Sequence, residues 1–307
     1  MKKVLCIAES CCDMIFADMP HLPSPGEEVY GGGFAIKPGG GANTPINLGR
    51  LGADVTFLTG LGTDDMGRRI LSELQACGVR VRGRLRQPES RTAVSAVLST
   101  AEDRSFASYA GTRGPFFTPL ELEEEIQKAD IVHTYLGYCV SHPIAQFCET
   151  YGKDLCLDAS WADAADSGEN RRVLQSCAWL KVNRAEAARL TGRADPVQAL
   201  ECLSGLVQKG VVITLGGEGS IGMAGGKTAD GRRKPVRQEA VSRGVFRDAC
   251  GAGDAYAAGM LWGLSQGKSL EASMRLGAIL SGLCVTWLGG SSETLNCTIA
   301  RDNFCAN

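Results

Sequence analysis

The chain has 307 residues, of which 44% are hydrophobic and 21% are charged, and its formal net charge at pH 7 is −2. This composition is ordinary for a globular protein, and the length is sufficient for a large buried core. Because the chain has no basic excess, we expect neither nucleic acid nor an anionic membrane surface as a partner.

Cysteine and histidine do not indicate a metal-binding protein. Thirteen cysteines are present, but none are spaced C-x-x-C, and the three histidines do not cluster with them. A structural zinc site is therefore not expected. Cys6, Cys156 and Cys284 stand in apolar surroundings, as reduced core cysteines do. The apolar run at residues 4–8 is too short for a signal peptide, and we expect a cytoplasmic protein.

Short apolar runs that predict buried strands alternate along the chain with segments that predict helices. Such alternation favours a parallel sheet with helices on both faces. No linker or repeat divides the chain, so one domain over residues 1–307 is expected. The predicted strands are 2–8, 54–60, 129–135, 154–160 and 210–216, and the predicted helices include 42–52, 64–78 and two long helices that close the chain.

Two segments, about 14–36 and 90–110, interrupt this alternation. The first is extended and rich in turn residues, and the second has the pattern of a hairpin around the polar residues 100–103. Both alternate polar and apolar positions, as does a sheet with one solvated face. We expect them to form a small antiparallel sheet over the C-terminal edge of the main sheet, where open α/β sheets bind ligands.

This small sheet is expected to serve as a lid and as a homodimer contact. One apolar face would cover the site, while the edges and rim would remain free to pair with a second copy. The face is predicted to include Val94, Ala96, Leu98, Phe106 and Tyr109.

The segment FRDACGAGDAYAAGM, residues 246–260, places a glycine-rich turn between two acids at the start of a predicted helix. Glycines let the backbone turn tightly, and the N–H groups of a first helical turn bind anions. A carboxylate at Asp254 is electrostatically awkward beside an anion unless it acts on the group to which the anion is attached. The alternative is an ordinary capped helix after a loop.

Two further turns have both a functional and a structural interpretation. In VITLGGEGS (212–220), Thr214 and Gly216 follow a buried strand and could contact a nucleotide, or the segment could be a simple hairpin. In KVNRAEAARLTG (181–192), Asn183 and Glu186 stand three residues apart at a helix start. Glu186 could hold Mg²⁺ through water, or the two residues could form a capping box.

Glycines and polar residues also stand near the first strand and the first helix. PGGGANTPINLGRLG (38–52) places Gly39, Gly40 and Asn43 at a helix start, and Asp13 lies just past the first strand, beside the inserted sheet.

In their order along the chain, these segments resemble the ribokinase-like (PfkB) carbohydrate kinases. The resemblance covers nearly the whole chain, and several motifs in the right order are far more specific than any one of them. The final motif differs from the family's D-T-x-G-A-G-D pattern by Ala249 in place of Thr. The matching segments are Asp13 with PSPGEE (23–28), GGGANTPINLGRLGADVTFLTGLGTDDMG (39–67), NRAEA (183–187), TLGGEGS (214–220) and DACGAGDAYAAG (248–259).

The resemblance implies a ribokinase-like three-layer α/β/α fold with a central, mostly parallel sheet and a small antiparallel β lid. It implies an ATP-dependent kinase that uses Mg²⁺, and in many members K⁺, and that phosphorylates a hydroxyl of a small free sugar similar to ribose or fructose. The alternatives are a nucleoside or phosphosugar kinase of the same fold, or a non-catalytic sugar or nucleotide sensor. An intact Asp254 argues against a sensor, which needs no base.

The resemblance also implies roles for individual positions. Asp254 matches the catalytic base, and Gly251, Ala252 and Gly253 match the anion hole. The nucleotide-binding positions of the family match Asn183, Thr214, Gly216 and Gly219, together with Gly251 and Gly253. The pair that organises Mg²⁺ through water matches Asn183 and Glu186.

The sugar-binding positions of the family match Asp13, Gly39, Gly40 and Asn43. Part of a monovalent-cation site matches Asp248 and the carbonyl of Cys250.

Two features of the sequence leave questions open. Where the family has two glycines five and four residues before the Asn, this chain has Pro38 and Gly39, so the glycine of 39–41 that contacts the sugar is not fixed. A phosphosugar substrate would require basic residues. Arg91, Arg104 and Arg113, in or near the lid, could serve, or they could face solvent.

Overall fold

A central sheet runs through the part of the chain that the computed structural model describes, which is residues 1–83, 89–100, 104–225, 234–292 and 295. The strands within these ranges are β1 Val4–Ile7, β2 Ser10–Met19, β3 Gly33–Gly40, β4 Val55–Leu58, β5 Arg80–Arg82, β6 Ala93–Thr100, β7 Arg104–Tyr109, β8 Ile131–Tyr135, β9 Asp154–Asp158, β10 Trp179–Asn183, β11 Gly210–Thr214, β12 Ser220–Ala224 and β13 Val236–Gln238.

The helices of the same ranges follow the strands in alternation. None of these helices is long and apolar enough to cross a bilayer. They are α1 Asn43–Arg50, α2 Asp65–Ala76, α3 Pro119–Lys128, α4 Leu136–Ser141, α5 Ile144–Thr150, α6 Gly168–Ser176, α7 Arg184–Thr191, α8 Pro196–Ser204, α9 Ala252–Ser265 and α10 Leu270–Cys284.

The main sheet has the order β13-β12-β11-β10-β9-β8-β1-β4-β5. Its pairings are parallel from β11 to β5, and β12 and β13 are antiparallel. The predicted, mostly parallel sheet is therefore confirmed. Four neighbouring parallel strands end in polar residues, so these side chains meet at one edge of the sheet: Tyr135, Asp158, Asn183 and Thr214.

The sheet has a buried core on each of its faces. Successive side chains of a strand point to opposite faces. In β1, Leu5 and Ile7 belong to the core that contains α3 to α8, whereas Val4 and Cys6 belong to the core that contains α1, α2 and α9. Helices thus cover both faces, which gives the three-layer arrangement.

The second sheet has the order β3-β2-β6-β7 and forms the lid. It consists of two antiparallel hairpins, β2–β3 and β6–β7, joined along a parallel pairing of β2 with β6. The tip of the second hairpin, residues 101–103, lies outside the described residues.

The first lid segment is longer than the predicted range of 14–36. Strand β2 begins at Ser10 and β3 continues to Gly40. Asp13, expected beside the small sheet, therefore lies on one of its strands. Gly39 and Gly40, expected at a helix start, end β3. The chain enters the lid almost directly from β1, with no helix between them.

The predicted apolar face of the lid, which was expected to cover the site, is wrong: only Phe106 lies on the face of Asp13, and the other four residues, Val94, Ala96, Leu98 and Tyr109, lie on the opposite face. Val94 lies opposite Tyr109, whereas Val97 lies opposite Phe106. Residues directly opposite each other share a face, so Phe106 and Tyr109 lie on different faces of the lid. Phe106 shares its face with the buried Val97 and Ile15. Their separation by three residues on one strand already places Phe106 and Tyr109 on opposite faces, whereas which of the two faces the site depends on the pairing of β7 with β6 and of β6 with β2.

Candidate active site

Helix α9 begins at the glycine turn that the sequence singled out. Gly251 precedes the helix with a φ of 71°, and a Cβ atom there would lie 2.1 Å from Cα of Gly290. Only glycine fits this position, because an L side chain would be both strained and in collision. The turn leaves the first N–H groups of α9 without helical partners, and Asp254 lies in that first turn.

Both carboxylate oxygens of Asp254 accept hydrogen bonds. Asn43 Nδ2 donates to Oδ2 at 3.0 Å, and the Tyr135 hydroxyl donates to Oδ1 at 3.3 Å. Burial raises the pKa of Asp254 above its ordinary value, against the opposing effects of the Lys181 charge and the Asn43 hydrogen bond. The result is an oriented carboxylate with increased proton affinity, as a general base requires.

Asn43 provides a further polar atom beside Asp254. Its side chain is buried, and Gly290 packs so closely that a Cβ atom there would lie 2.3 Å from Asn43 Cγ. Asn43 Oδ1 has no hydrogen-bond partner among the described residues. A buried, unpaired amide oxygen is costly, so a ligand hydroxyl would stabilise it.

Asp13 lies on the inner face of the lid and is buried. Gly39 lies diagonally across from it on β3, where a Cβ atom would come within 2.1 Å of Asp13 Oδ2. Gly39 is therefore the glycine of residues 39–41 that packs on the Asp13 carboxylate. Burial raises the pKa of Asp13, and the negative charges of Asp254 and Asp248 add to this effect. The two predicted ends of the acceptor site, Asp13 and Asp254, are thus brought near each other.

A cavity of about 750 Å³ lies at the start of α9. Two of its turn glycines, Gly216 and Gly219, have φ values of 63° and 86°. They form the turn of an antiparallel β11–β12 hairpin, so the hairpin interpretation is also correct. The predicted nucleotide positions on the cavity wall are Asn183, Thr214, Gly216, Gly219 and Gly253. Ala252 of the predicted anion hole also lines the cavity, whereas Gly251, predicted as a nucleotide position, is not among the lining residues.

Asn183 and Glu186 form a capping box at the start of α7. Asn183 Oδ1 accepts the Glu186 N–H at 2.9 Å, and Glu186 Oε2 accepts the Asn183 N–H at 2.8 Å. Burial raises the pKa of Glu186, so a nearby cation would stabilise its charged form. The described ranges hold no group of three or more acids, histidines or cysteines arranged for a metal. A magnesium ion here fits one carboxylate supplemented by water and phosphates.

The carboxylate of Asp248 links the glycine turn to the segment after α10 by hydrogen bonds. Its Oδ1 accepts the Cys250 N–H at 2.9 Å, and its Oδ2 accepts the Gly289 N–H at 3.0 Å. The Cys250 carbonyl accepts from the Cys284 thiol at 3.5 Å. Carboxylate and carbonyl oxygens can accept more than one interaction each, so these oxygens also suit a large monovalent cation.

Sequence reasoning missed a buried ion pair beneath α9. Lys181 Nζ lies 2.8 Å from Asp158 Oδ2 and donates to the Gly253 carbonyl at 3.1 Å. His133 Nε2 lies 3.7 Å from the other Asp158 oxygen. Burial opposes both charges, but the pair's attraction outweighs it, so the pKa of Asp158 is lowered and that of Lys181 is raised.

A signal for these missed residues was present in the sequence. Tyr135 is the last residue of the predicted strand 129–135, and Asp158 lies near the end of the predicted strand 154–160. Ligands of open α/β sheets bind where such strands end. Lys181 stands two residues before Asn183, on the same face of β10.

Comparison with known proteins identifies the family. The model of the pfkB family carbohydrate kinases matches residues 1–296. The chain belongs to this family. A ribokinase of Bacillus subtilis is 27% identical over 300 residues, which covers 95% of this chain and 97% of that protein.

Two solved structures share the fold. The adenosine kinase from Sinorhizobium meliloti has a TM-score of 0.81 at 22% identity, covering 98% of this chain and 99% of that one. The Arabidopsis thaliana ribokinase complexed with ribose and ATP has a TM-score of 0.80 at 23% identity, covering 99% and 98%. The prediction of a ribokinase-like fold is thus confirmed.

Membership of the pfkB family makes the chain a phosphotransferase with a hydroxyl acceptor, a sugar or nucleoside kinase. Kinases of this family use ATP with Mg²⁺.

A second cavity, of about 640 Å³, adjoins the acceptor end. Glu9 connects this cavity with the acceptor end. The Glu9 carbonyl accepts the N–H of Gly41, beside the acceptor residues, at 3.0 Å, and the Glu9 N–H donates to the hydroxyl of Tyr138, which lines the cavity, at 3.0 Å. The ring of Tyr138 stacks on His142 with centroids 5.9 Å apart. Side chains lining this cavity include Glu9, Arg113, Phe116, Phe117, Tyr138, His142 and Asp163.

The three arginines singled out in the sequence have different surroundings. Arg104 lies on β7 and lines the nucleotide cavity, and Arg113 lines the second cavity. Arg91 is exposed.

Proposed function

We propose that this chain transfers the γ-phosphoryl group of ATP to a hydroxyl of a small, neutral sugar, similar to ribose or fructose. The observation that carries this proposal is the position of Asp254. Its carboxylate is held by Asn43 and Tyr135 in the first turn of α9, between the nucleotide cavity and Asp13. Phosphoryl transfer requires this combination of positioning and charge stabilisation.

The cavity at the start of α9 is the proposed ATP site. The N–H groups of Ala252 and Gly253 offer partial positive charge to the phosphates. Val241, Phe246 and Tyr256 add apolar and aromatic surface to the same cavity. Mg²⁺, held by Glu186 through water, supplies further charge neutralisation of the phosphates when bound.

Asp254 takes the proton of the acceptor hydroxyl. As the hydroxyl oxygen bonds to the γ-phosphorus, the bond from phosphorus to the β–γ bridging oxygen breaks, and ADP leaves. The α9 N-terminus stabilises the charge on the transferring group. General-base help of this kind contributes roughly 10²–10⁴-fold.

The acidic surroundings favour a neutral acceptor. The negative charges of Asp254 and Asp248 act on Asp13, so this end of the site is acidic and a phosphate placed there would be repelled by the neighbouring carboxylates. Asp13 can instead accept hydrogen bonds from two neighbouring hydroxyls, and the unpaired Oδ1 of Asn43 can accept a hydrogen bond from a third. Arg104 lines the nucleotide cavity, where its charge suits ATP.

An ATP-turnover assay against a panel of acceptors tests this proposal. We expect phosphorylation of free pentoses or hexoses and poor use of sugar phosphates. Binding of sugar and ATP without turnover would indicate a sensor. Efficient use of a sugar phosphate, with the free sugars inert, would overturn the choice of a neutral acceptor.

We further propose that a bound K⁺ ion supports the glycine turn through Asp248 and the Cys250 carbonyl. Turnover of the wild-type protein in K⁺, Na⁺ and a buffer with neither cation measures this effect. We expect the highest rate in K⁺, and equal rates in all three buffers would contradict the proposal.

A nucleoside is the second candidate acceptor, and the second cavity favours it. A sugar bound between Asp13 and Asp254 would have Glu9 and the aromatic wall beyond its far end. A base attached to the sugar could stack there. Tyr138→Leu would then raise KM for adenosine and leave KM for ribose unchanged; equal effects on both would exclude this use of the cavity.

A further inference from the structure

The buried pair Lys181–Asp158 requires an explanation beyond packing. The two side chains are only 11% and 4% exposed. A buried ion pair must overcome the desolvation of both charges and seldom adds net stability relative to apolar residues. Asp158 ends β9 and Lys181 lies two residues before the end of β10, and the lysine contacts the first turn of α9 through the Gly253 carbonyl; this position suggests a use in the active site.

The ammonium group of Lys181 has one donor left over. Of its three N–H groups, one serves Asp158 at 2.8 Å and one serves the Gly253 carbonyl at 3.1 Å. Among the residues that the structure describes, the third finds no hydrogen-bond acceptor. An ordered ammonium group with one unused N–H donor is suited to bind an anion.

The place of this donor relative to the nucleotide cavity is fixed by two neighbours. Gly253 lines the cavity, and a Cβ atom on it would lie 3.5 Å from Lys181 Nζ. Asn183, which also lines the cavity, lies two residues further along the same face of β10. The ammonium therefore lies at the end of the cavity where the α9 N-terminus begins.

We propose that the third N–H of Lys181 donates to a β- or γ-phosphate oxygen of the bound nucleotide, and that Asp158 is its positioning residue. The inference rests on the proposed ATP site. Lysine provides a compact point charge suited to phosphate. Asp158 restrains the ammonium, and the Gly253 carbonyl ties it to the anion turn, so the charge is in place before the nucleotide arrives.

The competing explanation is a structural ion pair with no ligand contact. Nucleotide binding in the absence of acceptor separates the two explanations. Loss of a purely structural ion pair would weaken the binding of AMP and ATP alike, whereas loss of a contact to the outer phosphates would weaken ATP and ADP but not AMP. Calorimetric titration of ATP, ADP and AMP into Lys181→Met measures the difference. We expect Kd to rise about tenfold or more for ATP and ADP, as loss of one charge-assisted hydrogen bond implies. For AMP we expect little change.

Three further variants complete the test, and the first of them guards against misfolding. Lys181→Met leaves the Asp158 carboxylate buried without its partner, so the double variant Asp158→Asn/Lys181→Met removes both charges together. It should fold and show the same selective loss. Asp158→Asn alone keeps Lys181 but removes the carboxylate that restrains its ammonium group. In this variant the affinity for ATP and ADP should fall less than in Lys181→Met, and the affinity for AMP should again change little. Lys209→Met removes a half-exposed lysine that pairs with Asp154, and it should bind all three nucleotides normally.

The outcomes distinguish this inference from the proposed function. If the double variant binds ATP as tightly as the wild type, or if affinity for AMP falls as much as that for ATP, Lys181 does not contact the outer phosphates. If the wild type binds ATP and phosphorylates no acceptor, the proposed function fails while the selective loss in Lys181→Met still stands.

Discussion

At Asp254, burial and hydrogen bonding act in opposite directions on one carboxylate. Burial raises its pKa, while Lys181 and the Asn43 amide favour the charged form. The sequence indicated Asp254 as the base through its place after Gly253, but Tyr135 and Lys181 come from strands more than 70 residues away. Contacts of this kind follow from the strand order of the sheet, which a local pattern does not contain.

Replacing Asp254 by Asn tests its role as the base. The amide keeps the size of the side chain but cannot take the proton, so we expect turnover to fall by about 10²-fold or more with ATP binding retained. Removing a buried charge whose pKa is raised should also increase the unfolding temperature near pH 7, because the ionised carboxylate is disfavoured in the folded state. Asp65→Asn, in the exposed first turn of α2, is the control. Near-normal turnover of Asp254→Asn would exclude this assignment.

The pH dependence of turnover should follow the same carboxylate. Because the pKa of Asp254 is raised, activity should decline as pH falls through a value above the ordinary pKa of about 4. Tyr135→Phe removes a hydrogen bond that stabilises the charged form, which raises the pKa further. The acidic limb of the kcat profile should therefore move to higher pH in this variant. An unmoved or oppositely moved limb would show that Tyr135 does not act on the base.

At the scale of elements, the helix starts were the most predictable features. The helix predicted over 64–78 begins after the cap Asp64, and Asn183 caps α7 in the capping box that the sequence indicated. The lid was less predictable. Its strands extend beyond the predicted segment, and which of Phe106 and Tyr109 faces the site depends on strand pairings that no local pattern specifies. For α7 the two interpretations of Asn183 and Glu186 are compatible, because the capping box uses Oε2 of the carboxylate and leaves Oε1 to a metal-bound water.

Glu186→Gln separates these two roles. Glutamine also forms capping boxes, so the free energy of unfolding should change by less than the roughly 1 kcal/mol of a lost cap. The neutral side chain attracts Mg²⁺ less, so the Mg²⁺ concentration for half-maximal turnover should rise. Glu121→Gln alters the capping box of α3 and should change neither quantity appreciably. A loss of stability with an unchanged Mg²⁺ requirement would assign Glu186 to the cap alone.

For the whole molecule, the alternation of strands and helices was sufficient to predict a parallel sheet with helices on both faces, and it indicated the sheet edge where the candidate site lies. Each parallel crossover brings a strand end back to the same edge, so Asp158, Asn183 and Thr214 had to meet. Residues 296–307 lie outside the described residues, and the prediction of one domain over the whole chain stays a prediction.

We predict that a second copy of the chain binds to the outer face of the lid and forms a homodimer. Phe16 and Phe34 lie opposite each other with ring centroids 5.2 Å apart, and they are 40% and 56% exposed. Phe16 pairs with Leu98, so these rings share the face of Val94 and Tyr109. An apolar face of this kind, bordered by strand edges, is suited to a two-fold contact with a second copy.

Light scattering at micromolar concentration should give the mass of a dimer for the wild type. Phe34→Arg places a charge in the centre of the contact and should yield a monomer, because burying an unpaired guanidinium is costly. Leu120→Arg alters a residue of α3 that is equally exposed but far from the lid in sequence and layer, and it should leave the dimer intact. A monomeric wild type, or a Phe34→Arg variant that remains dimeric, would mean that the lid face has another use, and the first of these results would leave the lid as a cover for the active site alone.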